Sequence, residues 1–517
     1  MTQAPEVVQL ELFTNRFRAI AQEMGEMLRR TAISTNVKER LDFSCALLDA
    51  NGELVVNAPH MPVHLGALGL CVRSLCKVIK MGAGDVVVAN HPAFGGSHLP
   101  DITVVSPVYT NHKQLLGYVA NRAHHAEIGG VRPGSMPPFA TQLAEEGVVI
   151  PPFHLIKAEK LNWQEMRRLL TEAPFPTRAI EDNLADLRAA VAANHRGTAA
   201  LKQLAMMHGH KLVAHFMNEL KKLAEVKIRH ALRELPDGEY SALEHLDDGS
   251  ALKVRIKISG EDANIDFSGS ADVHPGNLNA TSAIVRSVVI YVLRLLINEP
   301  LPLNEGLMHA VTVRIPKGML NPDFPDDPEK APAIVGGNVE TSQRLVDTML
   351  KALKIMAGSQ GTMNNTLFGN ESFGYYETVC GGCGAGPNFD GASAVHSHMT
   401  NTRITDPEVL EHRYPVRVET FGIRRGSGGA GKHRGGDGVI RELTFLEEMD
   451  FSIVSQRRAS GPFGLEGGEP GKPGRQRLTR ASGEVVELKG IDGCKVYPGD
   501  RLVLETPGGG GYGKVSD

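Results

Sequence analysis

Apolar residues near the start of the chain fall at Phe13, Phe17, Ile20, Met24 and Met27, spaced four, three, four and three. One buried face of a helix requires that spacing. Strand-like segments follow to about residue 120, interrupted by a helix over 64–80. From Thr177 the period is helical again, through Ile180, Leu184, Leu187 and Val191, then Leu201, Leu204, Leu212 and Phe216, with a break near Gly197. Leu235-Pro-Asp-Gly238 ends it as a turn. Leu252-Lys-Val-Arg-Ile-Lys-Ile alternates strictly, as a half-exposed strand does. Two amphipathic helices are expected at about 280–298 and 339–357. After residue 415 the chain is strand and glycine turn, at Val416–Phe421, Glu442–Leu446, Phe451–Val454, Glu484–Leu488 and Arg501–Leu504. The pattern predicts an α+β protein, mixed and multi-lobed, with a mostly β C-terminal lobe. The expected division is an α/β lobe over 1–175, a helical arm over 176–235, an α+β central lobe over 236–415 and a β-rich lobe over 416–517.

Candidate chemistry gathers in the first lobe. Five of the twenty histidines lie between positions 91 and 125. Ile102–Tyr109 and Leu115–Ala120 are β-rich, and Thr-Asn-His-Lys-Gln (110–114) turns between them, so the segment reads as a hairpin. Folding about residue 112 sets Asp101 beside residues 123–124. His98, Asp101 and His124 or His125 then meet at the open end of the hairpin. Neutral imidazoles and a carboxylate converging on a point suit a divalent ion such as Zn²⁺ or Mn²⁺. Asp42, between a charged turn and an apolar strand, is a possible further ligand. His60 and His64 form an H-x-x-x-H frame, but it lacks the Glu of a zincin and Pro62 opposes a continuous helix beneath it.

With 517 residues the chain is too long for one ordinary core. Its 42% hydrophobic and 22% charged residues are those of a soluble globular protein, and a net charge of −4 offers no field for nucleic acid or anionic membrane. Ala283–Ile297 carries Arg286 and Arg294 and is too short for a bilayer. The N-terminus shows no signal-peptide pattern. Six scattered cysteines fit a reducing cytoplasm. Cys380-Gly-Gly-Cys383 has no partner pair at finger spacing and reads as a glycine-rich turn. Gly426-Ser-Gly-Gly-Ala-Gly431-Lys432-His433 fits G-x-x-x-x-G-K but has His433 where a phosphate loop needs a hydroxyl, and Arg434-Gly-Gly-Asp-Gly438 cannot start a helix. This is not an NTPase loop; an anion cradle or a plain glycine turn is left open. The Gly508–Gly513 tail segment is expected to be flexible and generic.

Several motifs together carry a family resemblance: Glu39-Arg-Leu-Asp-Phe-Ser, Ala58-Pro-His-Met-Pro-Val-His-Leu-Gly66, Gly95-Gly-Ser-His-Leu-Pro-Asp101 and Arg122-Ala-His-His-Ala-Glu-Ile-Gly-Gly130. Asp182–Asn194, Asp266-Phe-Ser-Gly-Ser, Gly336-Gly-Asn-Val-Glu-Thr-Ser-Gln343, His396-Ser-His-Met-Thr-Asn-Thr-Arg403 and Arg425–Gly431 complete the set. The whole chain resembles the hydantoinase B/5-oxoprolinase family, whose relatives include α subunits of acetone carboxylase-type enzymes and lactamase B subunits. The resemblance implies a B-type subunit that works in a hetero-oligomer with an A-type subunit. That partner binds ATP and phosphorylates a cyclic amide, and the B-type chain completes the ring opening with one divalent metal. The metal ligands of such relatives match onto Asp42, His98, Asp101 and His124. His125 and Glu127, beside the presumed ligand, are candidate orienters or proton carriers, and His396 and His398 are a weaker acid/base pair. One departure from the family pattern is the pair Cys380 and Cys383 in the glycine-rich run after Tyr-Glu-Thr. Two other readings stay open: a subunit of an ATP-dependent ketone carboxylase, and a non-catalytic assembly subunit.

Overall fold

The computed structural model describes residues 5–57 and 61–515. Helix α1 (Glu6–Thr31) buries Phe13, Phe17, Ile20, Met24 and Leu28, close to the expected stripe. A short helix α2 (Thr35–Lys38) leads into a seven-stranded antiparallel sheet of β1 (Phe43–Asp49), β2 (Leu54–Asn57), β3 (Val86–Ala89), β4 (Asp101–Tyr109), β5 (Leu115–His124), β6 (Phe153–Lys157) and β7 (Lys160–Leu161). Its order is β2-β1-β5-β4-β3-β6-β7. Both faces are buried, so the strands read as apolar runs rather than alternations. The period of two still sorts them. Phe43, Cys45, Leu47, Val119 and Ala123 face one core, whereas Ala46, Leu48, Tyr118 and Ala120 face helix α3 (Leu65–Val78) on the other side.

After helix α4 (Trp163–Thr171) come α5 (Ile180–His208) and α6 (His210–Arg233). The segment expected as an arm is packed: α5 lies along α1 and against β4 and β5, and its Leu184, Leu187 and Leu201 join the same core as Phe17. The break expected at Gly197 is absent, and α5 runs through it. A Cβ there would stand 2.3 Å from Met24 Sδ, so Gly197 lets the two helices close on each other. The chain turns instead at Gly209, with φ +82°. Helix α6 then joins two cores. Val213, Phe216 and Leu220 belong to the first, and Ala224, Ile228 and Leu232 to the second.

The second core sits under a four-stranded sheet, β8 (Gly238–His245), β9 (Ala251–Ser259), β10 (Asp262–Asp266) and β11 (Val311–Arg314), with helices α7 (Ser282–Leu295) and α8 (Ser342–Ala352). A π-helical turn, Gly337–Thr341, opens α8. No helix of the described residues is long and apolar enough to cross a membrane.

The rest is nearly all β, apart from helix α9 (Pro407–Arg413). It comprises β12 (Asn365–Gly369), β13 (Gly374–Glu377), β14 (Val416–Arg424), β15 (Gly438–Phe445), β16 (Met449–Val454), β17 (Arg475–Thr479), β18 (Val485–Leu488), β19 (Ile491–Val496) and β20 (Arg501–Glu505). One sheet has the order β13-β12-β16-β19 and the other β14-β15-β20-β17-β18. The first takes two strands from each side of residue 415, so the β unit begins before the expected boundary.

The glycine-rich segments are structure, not slack. Successive amides of the tail go to different neighbours: Gly509 N–H to Gly436 O at 2.8 Å, Gly510 N–H to Gly358 O at 2.8 Å and Gly511 N–H to Glu469 O at 2.9 Å. Three successive amides thus pair with three different neighbouring segments. The segments touch backbone to backbone, so a Cβ at Gly509 would fall 1.8 Å from Cys383 O. The near-miss phosphate loop belongs to this packing. Ser427 and Gly428 donate their N–H groups to Asp437 Oδ1, each at 2.8 Å, which fills the place an anion would take. Cys380 and Cys383 are free thiols, each pushed up to about 11 by burial.

Gly509→Ala is therefore expected to cost about 3 kcal/mol, as overpacking without room to relax does. Gly422→Ala, where nothing lies within 4 Å of the new Cβ, should change stability by less than about 0.5 kcal/mol. Urea unfolding of both variants checks the contrast.

Candidate metal centre

The expected hairpin forms, and its register sets Asp101 directly opposite His124. Strand β5 lies between β1 and β4, so His124 at its end is flanked by Asp42 and Asp101 at the starts of its two neighbours. Asp42 reaches this position through Leu41, whose φ of +56° is a left-handed conformation that a leucine adopts only at a cost of roughly 1–2 kcal/mol. Asp42 O then accepts the His124 N–H at 3.0 Å. His98 comes from the loop before β4, which presses on α3 at Gly95. There φ is +84° and a Cβ would meet Cys71 Cα at 2.7 Å.

Asp101 is the hub. Its Oδ2 lies 3.3 Å from His98 Nε2 and 3.3 Å from His64 Nε2, and its Oδ1 lies 3.5 Å from His124 Nδ1. Asp42 Oδ2 is 4.0 Å from His124 Nδ1. Ligand atoms placed tetrahedrally about 2 Å from a zinc ion stand about 3.3 Å apart. One such atom from each of His98, Asp101 and His124 lies within 4.8 Å of the others. All three side chains are buried, and His98 Nδ1, Asp101 Oδ1 and His124 Nε2 have no hydrogen-bond partner. Burial lowers the His124 pKa, leaving a neutral ring with a lone pair to give. Burial alone would raise Asp101, but His98, His64 and His124 hold its carboxyl well below the usual carboxylate range. The donors fit a borderline divalent ion.

His64 is the residue that the sequence reading left out of the site. It precedes α3, is held by Ser44 Oγ at 3.1 Å from its Nδ1, and turns Nε2 onto Asp101. The H-x-x-x-H frame carries the signal: His64 reaches Asp101 from a turn, not from the helix a zincin would need. His60 lies outside the described residues. Asn338, on the π-helical turn, was also missed. Its carboxamide nitrogen stands 3.2 Å from His98 Nε2, and its oxygen is buried without a partner. The Gly336-Gly-Asn run is the signal for it in the sequence.

The choice between His124 and His125 follows from the pleat. Neighbouring residues of an extended chain point to opposite faces, His124 with Asp101 toward α3 and His125 toward α5. His125 Nδ1 lies 3.1 Å from Asn183 Nδ2, and burial pushes its pKa down to about 4. Glu127 accepts from Gly129 N at 2.7 Å, Gly134 N at 2.8 Å and Arg178 Nη1 at 3.0 Å. Both bind the loop after β5 to itself and to the α5 layer, with their hydrogen bonds directed away from the cluster.

His124 is also supported from behind. Its ring stacks on Tyr376 at 4.6 Å and 19°, and the Arg40 guanidinium lies over the same tyrosine ring, 4.7 Å from its centroid. Tyr376 Oη donates to Asn365 Oδ1 at 2.9 Å, and Asn365 Nδ2 donates to Glu340 Oε1 at 2.7 Å. Glu340 is fully buried, and that desolvation raises its pKa to about 8.

Tyr376→Leu removes the surface on which His124 rests and is expected to weaken divalent-ion binding about tenfold or more, while Tyr376→Phe keeps most of it. Competition with a chelating dye measures both. Glu340 keeps its proton in the folded chain between about 4.5 and about 8, where the unfolded chain gives it up. Its contribution to stability is thus present below pH 4.5 and is lost as pH rises through 8. Glu340→Gln should melt with the wild type at pH 5 and well above it at pH 9; equal pH dependence of the two melts would refute the assignment.

The family model for hydantoinase B/oxoprolinase matches residues 6–515. The chain is 46% identical to 5-oxoprolinase 1 of Arabidopsis thaliana over 98% of its own length and 42% of that protein's. It thus spans less than half of such relatives. Among solved structures, the ATP-dependent caprolactamase from Pseudomonas jessenii superposes with a TM-score of 0.89 at 25% identity, covering 99% of this chain and 92% of that one. Nucleotide-free acetone carboxylase gives 0.87 at 18% identity, covering 98% and 76%, a likeness of fold. The match runs through every element that builds the cluster, and the chain belongs to the hydantoinase B/oxoprolinase family.

Proposed function

We propose that this chain is the B-type component of an ATP-dependent hydrolase of cyclic amides of the hydantoin, 5-oxoproline or lactam kind, with one Zn²⁺ or Mn²⁺ held by Asp42, His98, Asp101 and His124. The observation that carries the reading is the buried convergence of Asp42, Asp101 and His124 at three adjacent strand ends with His98 from the loop before β4, in a chain whose relatives include 5-oxoprolinases. His64 extends the ligand set. When bound, such a metal lowers the pKa of a coordinated water to about 7 and fixes its position. The chain's own residues do the rest. Asp101 supplies the anionic donor, Asn338 offers an amide at the side of His98, and His125 and Glu127 position the end of β5.

An amide carbon is a poor electrophile and an amine a poor leaving group, so prior phosphorylation of the carbonyl oxygen favours ring opening. Gly426–His433, the segment with phosphate-loop spacing, spends its first amides on Asp437. ATP is therefore assigned to an A-type partner subunit, in line with the ATP-dependent caprolactamase that shares the fold. Six free cysteines accord with a cytoplasmic setting. The carboxylase alternative rests on a likeness of fold alone, and no observation specifically favours a purely structural subunit.

The purified chain is expected to hold about one divalent ion, and His98→Ala with Asp101→Ala to lose most of it by elemental analysis. Mixed with its A-type partner, the wild type should open hydantoin, 5-oxoproline or a lactam only when ATP is present. Full metal retention in the double variant, or equal turnover by this chain alone without ATP, would overturn the reading.

A further inference from the structure

The outer face of α5 mixes cations with small apolar side chains. Arg188, Val191, Ala192, His195, Arg196 and Ala199 recur at three and four residues and so share that face. They line an open groove of about 600 Å³. Ile156 and Leu161, paired across β6 and β7, line it too, with Trp163 at the start of α4 and Met27 of α1. Met27, Ile156, Trp163 and Val191 pack against the first core, so the groove floor is the outer side of that core. Strand β7 is the outermost of the seven, and its Leu161 is 61% exposed. Sheet edges are usually blunted by charge or covered, and a bare leucine beside an apolar groove marks a surface that something else covers.

Charge indicates what covers it. Among the described residues no carboxylate lines the groove. Arg196 is matched by Glu23 of α1 at 2.8 Å. Arg188 has no carboxylate partner among the described residues, and its guanidinium lies over the Trp163 ring, 5.3 Å from the centroid. Tryptophan and arginine above an apolar floor are the side chains in which interface energy concentrates. A second copy seated by two-fold symmetry would offer the same cations and no carboxylate to meet Arg188, so the groove does not complement itself. It complements an apolar surface that carries a carboxylate. From Arg188 to Ala199 the face runs about 17 Å, the length of about three turns of helix.

We propose that this groove docks the A-type partner subunit, which lays in it an amphipathic helix of about three turns with a carboxylate against Arg188. The assignment rests on the two-subunit reading above and adds where the subunits meet. Helix α5 packs on β4 and β5, the strands that carry Asp101 and His124, so the partner sits on the helix that backs the cluster.

Trp163 is the only tryptophan, so fluorotryptophan incorporated into the full chain gives a single fluorine NMR resonance that reports on the groove. Adding the unlabelled A-type subunit is expected to move that resonance. Leu161→Asp and Arg188→Glu should each weaken the complex by about tenfold or more. Both side chains are exposed, and melting temperatures equal to the wild type's show that the variants fold. A complex that forms with the resonance unmoved, or that binds both variants as tightly as the wild type, overturns the proposal and leaves the two-subunit reading standing. A resonance that moves when the chain alone is concentrated puts a second copy in the groove and overturns it as well. No complex by sedimentation sinks the proposal and the two-subunit reading together, and ring opening by the mixed subunits reports on that reading by itself.

Discussion

The antiparallel pairing of β1, β5 and β4 is the constraint on which the site depends. Because the three strands end at one edge in fixed register, a histidine on the middle one is bracketed by carboxylates on its neighbours. Slipping β4 against β5 by one residue would turn Asp101 to the opposite face, toward α5. The sheet is held against such slips by burial on both faces, under α3 and under α1 with α5. Stability and site geometry therefore come from the same packing, and no loop has to place Asp101 or His124 by itself.

The β-rich C-terminal part solves a different problem. Extended glycine segments bury their backbones against one another, and side chains are absent where the chains touch. Their amides go to carbonyls or, as at Ser427, Gly428 and Gly438, to side-chain oxygens, so the cost of burying polar backbone is met within the packing. Glycine loses the most entropy on folding, and a design that spends so many of them needs close contact in return. This explains why a run that resembles a phosphate loop is nothing of the kind. Its amides are already satisfied by Asp437 and by neighbouring glycines.

Much of this was legible in the sequence, and what was not has identifiable causes. The helical stripe of α1, the hairpin with Asp101 beside His124, the alternating strand at 252–258 and most C-terminal strands follow from periodicity. Strand β17 alternates in burial but turns the polar Gln476 inward beside Leu478, and β19 carries no apolar alternation, so neither shows in the hydrophobic pattern. Gly197 looked like a break because a glycine in a helical pattern is locally weak, yet the reason for it is Met24 on another helix, a contact that no local pattern records. The tail glycines looked flexible for the same reason. At the site, residues joined by strand register were readable. His64 and Asn338 arrive from a turn and from a π-helical step, and only the tertiary structure brings them in.

Charge balance gives the strongest physical argument for what the cluster is for. Asp42 and Asp101 are both buried, and their ion-pair partners among the described residues are imidazoles. Buried carboxylates are costly unless a positive charge meets them. Arg40 is nearby but stands behind Tyr376, spending its hydrogen bonds on Tyr376 O and on Thr378 and Thr402. Arg122 reaches the hub only through Ser97, whose hydroxyl donates to Asp101 Oδ2. Protonating the imidazoles would supply charge, but burial works against that at His124. Two buried carboxylates, with arginines held one residue away, leave a centre short of positive charge. A divalent cation beside Asp101, within reach of His98, His64 and His124, would supply it.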